Sequence, residues 1–197
     1  MEVVMARSKA FDQDAVVGKA MEVFWSKGYE ATSIQDLVDA MGINRGSIYD
    51  TFGDKAGLFK AALDRYMGRS PPSKLIATAA TADPRQAIED FIRAQVDLSC
   101  GPDGRRGCFM TNTLTELCST DESVAKLLGA GLARVEEALY TLIRRGQETG
   151  DISPWRDARA LARFLLATVQ GIKALSKVNP GRDTLSDIAD IALSNLD

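Results

Sequence analysis

Residues 44–49 of this 197-residue chain read Asn-Arg-Gly-Ser-Ile-Tyr, a run of small and donor-bearing side chains interrupted by one isoleucine. The types suit a helix turn offered to a polar surface outside the chain. Arg45 can donate two parallel hydrogen bonds, the pattern a guanine edge accepts. Gly46 lets the backbone approach closely, Ser47 can donate or accept, and Tyr49 can set its hydroxyl on a phosphate. Asn44 has the chemistry of a helix N-cap and is read with its neighbours as a DNA contact. Lys55 stands at a second helix start, where unpaired N–H groups already favour an anion. Thr32 and Ser33 open the preceding helix and could hold another phosphate. A second constellation, Arg105-Arg106-Gly107-Cys108, sets a thiol near a helix start beside two guanidinium groups, an arrangement that favours thiolate. Each has a plainer reading: Tyr49 and Phe52 as core of a helical hairpin, Cys108 as a small buried apolar residue.

Composition narrows the chemistry. The chain is 45% hydrophobic and 26% charged with a net charge of −3, enough for one or two cored domains and too acidic for a bulk polycation. Residues 1–69 hold nine basic and ten acidic side chains, so nucleic-acid binding would rest on a few placed contacts. The absence of histidine removes imidazole as general base or metal ligand. No metal or cofactor is expected. Three cysteines (Cys100, Cys108, Cys118) without CxxC spacing fit reduced thiols in a cytoplasm rather than a disulfide framework. No apolar run of about 18 residues predicts a membrane span, and the first eleven residues do not read as a signal peptide.

Apolar residues recur every three or four positions almost throughout, which predicts an all-α chain of about nine helices. The first spans about 13–27, with Asp12 as N-cap and Gly28 as a left-handed stop. The next starts at Thr32, three residues before Gln35, a capping-box spacing. Gly42 allows a turn into a short third helix, about 45–50, and Asp54 caps a fourth, about 55–68. Prolines and small residues over 70–84 suggest a connection between domains 1–69 and 70–197. Helices resume at about 85–99, 108–118, 122–148, 155–178 and 184–196. Trp155, after Pro154, is expected to pack a helix start. Two helices joined by a four-residue turn, the second short and polar at its start, are how a helix is presented to a groove about 12 Å wide.

The stretch "GYEATSIQDLVDAMGINRGSIYDTFGDKAGLFKAALDRY" resembles the N-terminal domain of tetracycline-repressor-type (TetR-family) transcriptional regulators. The likeness covers about residues 11–66. It comprises FW-x-x-GY-x-AT at the end of the first helix, the G-I-N-R-G-S-I-Y turn and recognition helix, and F-G-D-K-x-x-L-F at the fourth. It implies a helix-turn-helix reader followed by a helical ligand-binding and dimerisation domain: a homodimer that represses a promoter until a small effector binds. By position, Arg45, Gly46 and Ser47 would face bases, while Thr32, Tyr49 and Lys55 would hold phosphates. The family often carries histidine after the recognition tyrosine; Asp50 and Thr51 stand there instead.

The remaining helices offer an effector pocket and a partner surface. Phe91, Gln95, Phe109, Leu139 and Phe164 could wall a mostly apolar cavity, with Cys108, Asn112, Thr113 and Glu116 as its polar groups. Ordinary packing with Asn112 and Glu116 solvated is the alternative. Leu161, Leu165, Thr168, Ile172 and Leu175 form one face of a long helix, Leu185, Ile188 and Ile191 a second. Paired with a second copy they would make a four-helix interface, and close helix approach would offset the cost of Gly171. They could instead pack within one chain. The function expected is a ligand- or redox-responsive repressor on a palindromic DNA operator. The alternatives are a helical dimer acting through protein contacts alone and a helical enzyme using Cys108.

Overall fold

The computed structural model describes residues 11–197. The expectation about a signal peptide rests on the segment before them and lies outside the described residues. Those residues form ten α-helices and two 3-10 turns, with no strand among them. The chain divides into two compact units between Arg65 and Tyr66. The division falls inside the fourth helix rather than at residue 69.

The first unit holds α1 (Gln13–Lys27), α2 (Ile34–Met41), α3 (Arg45–Phe52) and most of α4 (Lys55–Arg69). Asp12 caps α1 by accepting from the Asp14 and Ala15 N–H groups. Gly28 ends it with φ 84° and ψ 170°, a positive-φ stop but not the left-handed helical cap expected. The start of α2 also differs from expectation. Ser33, not Thr32, is the N-cap, and its reciprocal partner is Asp36 rather than Gln35. Lys27 lies 2.5 Å from Asp36. That ammonium, with the Ser33 N–H and hydroxyl, holds the Asp36 carboxyl far below the usual carboxylate range. Gly42, at φ 72° and ψ 25°, takes the left-handed conformation that turns the chain from α2 into α3. Gly57 is required for a different reason: a Cβ there would collide with the Phe52 carbonyl, so only glycine lets α4 start this close to the end of α3. The interior is Ala20, Phe24, Leu37, Met41, Ile48, Leu58 and Phe59, with Phe24 and Phe59 meeting edge-to-face at 4.9 Å.

The second unit adds α5 (Pro71–Thr78), α6 (Pro84–Cys100), a 3-10 turn at Gly104–Arg106, α7 (Phe109–Leu117), α8 (Glu122–Thr149), α9 (Ala158–Leu175) and α10 (Arg182–Leu193). The segment 70–84, read as a loose connection, contains a two-turn helix. Pro71 and Pro72 occupy its first positions, where no intrahelical N–H bond is lost. Helices α6, α8, α9 and α10 enclose one apolar core that includes Ile88, Ile92, Leu139, Leu142, Leu165, Ile172 and Ala189. Trp155 is 93% exposed and packs no helix start.

That core corrects the expected partner surface. Leu161, Leu165, Ile172 and Leu185 are buried inside the chain. Each helix turns those residues inward, and what remains outside is the adjacent stripe. On α9 it carries Phe164, Thr168, Gly171 and Leu175 and continues to Val178; on α10 it carries Ile188 and Ile191. Phe164, Leu175, Val178 and Ile191 are exposed, while Thr168, Gly171 and Ile188 are half-buried. No helix among the described residues is long and apolar enough to cross a membrane.

Candidate functional site

The first site is built on α3. Asn44 caps it by accepting from the Ser47 N–H at 2.8 Å, which fixes the register of the next residues. Ile48 is fully buried and anchors the helix. At 100° per residue, Gly46 and Asp50 lie on the side opposite Ile48, Tyr49 and Ser47 stand about 100° to either side of it, and Arg45, in the first turn, lies about 60° from it on the Tyr49 side. Asn44, Arg45, Gly46, Tyr49 and Asp50 are exposed and Ser47 is half-buried. The side chains of Arg45, Tyr49 and Asp50 make no hydrogen bond or ion pair to another described residue. The helix therefore offers a guanidinium, a phenol and a carboxylate on one open face, around a glycine that keeps the backbone low.

Two expected phosphate contacts, Thr32 and Lys55, also serve the scaffold. The Thr32 side chain is buried, and its hydroxyl donates to the Gly28 carbonyl at 2.5 Å. Lys55 donates to the Thr32 carbonyl at 2.8 Å and sits 4.3 Å from the centroid of the Tyr29 ring. Its ammonium ties the start of α4 to the α1–α2 turn through a hydrogen bond and a cation–π contact. Ser33 is exposed but its hydroxyl is engaged with Asp36. Of the eight residues read as DNA contacts, Asn44, Arg45, Gly46, Ser47 and Tyr49 gather on one short helix and stay accessible. Asp50 was noted in the sequence only as a departure from the family pattern; the helical wheel places it at the centre of the open face.

The second site lies between α6 and α9 and around the start of α7. The Tyr66 hydroxyl, at the end of α4, donates to the Cys108 sulfur at 3.3 Å. Burial pushes the Tyr66 phenol well above its ordinary pKa, and the facing Cys108 adds to the shift, so the group stays a donor. Asn112 is spent as a brace: it donates to the Arg106 carbonyl at 2.8 Å and accepts from Lys177 at 3.0 Å. Thr113 donates to its own helix at the Phe109 carbonyl and is buried. Leu139 belongs to the core, Glu116 is half-buried on α7, and Phe164 points outward, so Phe164 walls no cavity. Phe91 reaches a cleft of about 310 Å³ between α5 and α6, lined also by Lys74, Leu75, Thr78 and Ala87; none of the other expected pocket residues lines it.

Gln95 and Cys108 do converge, on a residue the sequence reading passed over. Lys173 of α9 is 8% exposed and donates to the Gln95 backbone carbonyl at 3.2 Å. Desolvation lowers its pKa, opposed by the proximity of Cys108 and Cys100. A single lysine in a helical pattern reads as solvated; only its place two residues before Leu175 and one after the core residue Ile172 hinted at an inward turn.

Residues 17–62 match the model of "Bacterial regulatory proteins, tetR family", and residues 84–189 match "Tetracyclin repressor-like, C-terminal domain". The chain is 35% identical over 190 residues to the HTH-type transcriptional repressor ComR of Escherichia coli (strain K12), covering 95% of this chain and 90% of that one. It is 32% identical to the uncharacterized HTH-type transcriptional regulator YezE of Bacillus subtilis (strain 168), covering 98% and 100%. Among solved structures, a cysteine-substituted form of the regulator CifR, complexed with 26-bp double-strand operator DNA, superposes with a TM-score of 0.84. It is 29% identical over 98% of this chain and 100% of that one. Both family models fall on the two units already described, and the chain belongs to the tetR family of bacterial regulatory proteins.

Proposed function

We infer that the protein is a DNA-binding transcriptional repressor that acts as a homodimer on a palindromic operator and is released by a small effector held in its second unit. The observation that carries this reading is the exposed side of α3, where the side chains of Arg45 and Tyr49 stand without partners beside Gly46 on a helix anchored by buried Ile48. The solved likeness of CifR on operator DNA supports it, as does the repressor named ComR. One such reader contacts few base pairs, and two copies on half-sites about 34 Å apart supply the missing discrimination. The exposed α9–α10 stripe suits the second copy.

The face also assigns a role to Asp50. Phosphates repel a carboxylate, so an Asp at the centre of a DNA-facing helix is suited to accept from base-edge amines. Cytosine N4 is the donor that Asp accepts from in the major groove. Arg45 against guanine and Asp50 against cytosine make a reader of G·C pairs.

The test is selection of bound duplexes from a random pool, followed by gel retardation of the selected site. A palindrome enriched in G·C at matched positions of each half is expected. Failure to enrich any sequence over the starting pool would sink the repressor reading.

A further inference from the structure

We propose that the Gln95–Ser99–Lys173 cluster is the recognition point for a carboxylate or comparable small oxyanion carried by the effector; this rests on the effector-controlled reading above. Lys173 of α9 reaches α6 at the turn that carries Gln95 and Ser99. Gln95 and Ser99 stand four residues apart on one face of α6, each 2% exposed. The Gln95 Nε2 and the Ser99 Oγ are both buried and have no hydrogen-bond partner. Lys173 arrives from α9, with its ammonium on the Gln95 backbone oxygen. That oxygen sits inside the α6 hydrogen-bond ladder, so the bond adds little charge compensation. No Asp or Glu forms an ion pair with Lys173 among the described residues. The backbone closes tightly nearby: Ser176 donates to the Gly104 carbonyl at 3.0 Å, and a Cβ on Gly104 would collide with the Ser99 carbonyl.

The inventory is one-sided. The ammonium keeps two N–H donors in reserve, the Gln95 amide two and the Ser99 hydroxyl one, against two neutral acceptor oxygens, Gln95 Oε1 and Ser99 Oγ, and no anion. Buried unpaired donors are destabilising, and a buried cation without a counter-charge more so. A neutral oxygen would satisfy hydrogen bonds and leave the charge uncompensated. A carboxylate satisfies both, through charge-assisted bonds to the ammonium and neutral bonds to the amide and hydroxyl. Desolvation of Lys173, which lowers its pKa, is the cost such a counter-ion would reverse. The sulfurs of Cys100 and Cys108 are close enough to Lys173 to affect it, but sulfur is only a weak hydrogen-bond acceptor.

Matched probes test this on the full-length protein by calorimetric titration. The acids are butyrate, hexanoate, octanoate, benzoate and salicylate; the controls are the corresponding primary alcohols. Expected is binding by at least one acid, with affinity reduced at least about tenfold in its alcohol and in Lys173→Met, while weak alcohol binding is unchanged by the substitution. Gln95→Leu carries the same comparison should Lys173→Met fold poorly. Acids and alcohols binding alike, acids binding both variants as tightly as wild type, or no acid binding at all would each overturn the assignment and leave the donors to a structural water. Operator retardation by the probe-free protein is measured in parallel. Its failure would remove the repressor reading itself, whereas intact retardation with no acid response removes only the oxyanion site.

Discussion

The Tyr66 hydroxyl donates to the Cys108 sulfur across 3.3 Å, and the Tyr66 ring meets Phe109 edge-to-face at 5.7 Å. The last turns of α4 are thereby tied to the start of α7, and α4 is the same helix whose first residue, Lys55, braces the α1–α2 turn. A group added to that sulfur would displace the phenol from its acceptor. Iodoacetamide does this cleanly: the thiolate displaces iodide and forms a thioether, and the thiol proton goes to buffer. Treated wild-type protein should lose operator retardation, and Cys108→Ser should keep it. Equal loss in both would place the effect at Cys100 or Cys118, or nowhere specific. Tyr66→Phe should lower stability by about 0.5–1.5 kcal/mol, the usual net worth of one hydrogen bond, read as a shift in the denaturation midpoint.

Arg45 and Tyr49 stand on the same side of α3 yet should fail differently. Arg45→Ala removes base readout, so affinity for the selected site should drop by about 1–3 kcal/mol while preference at one base pair relaxes. Tyr49→Phe removes only a hydroxyl, which on the proposed reading would meet a phosphate. It should weaken binding evenly across sequences and leave the selected consensus unchanged. Retardation assays on the selected site and on scrambled duplexes separate the two. Unaltered binding in both variants would mean that α3 does not enter the groove by this face.

Asp50 should set a preference rather than supply affinity. Its carboxylate adds repulsion against the phosphate backbone and one hydrogen bond to a base amine. Asp50→Ala should therefore hold affinity for non-specific duplex, or raise it, while losing discrimination at one position by about 1–3 kcal/mol. Selection repeated with the variant reads this directly. An unchanged consensus would place the carboxylate in solvent.

How much of this was legible beforehand depended on the range of the interaction. The Asn44 cap, the Gly42 turn and the anchor Ile48 are fixed within a few residues, and the residue types alone announce them. The α2 cap was misplaced by one residue because Thr32 and Ser33 are both competent caps; the choice is made by Lys55, 23 positions away, which claims the Thr32 carbonyl. Helix α5 was hidden by Pro71-Pro72, a pair that breaks a helix interior but starts one well. Lys173 was passed over because nothing local distinguishes a buried lysine from a solvated one.

The partner face was misread for a related reason, and correcting it gives the last prediction. Helix α9 is apolar on two sides, so periodicity reveals two stripes without saying which the chain itself covers. The core takes Leu161, Leu165 and Ile172; Phe164, Thr168, Gly171, Leu175 and Val178, spaced alternately by four and three, are left outside. A Cβ on Gly171 would meet nothing within 4 Å, so within one chain that glycine has no packing role. Alanine there should stabilise the isolated fold by up to about 1 kcal/mol through helix propensity. If a second copy packs on the stripe, the same methyl should instead weaken the dimer. Leu175→Arg and Ile191→Arg should yield folded monomers by sedimentation, with operator binding lost, since each buried aliphatic contributes about 1.5–3 kcal/mol and counts twice across a two-fold axis. Leu165→Ala is the contrasting control: it should cost about 2–5 kcal/mol of stability as a core cavity and leave the assembly state of the folded protein unchanged. Dimers that survive both arginine substitutions would move the interface off this stripe.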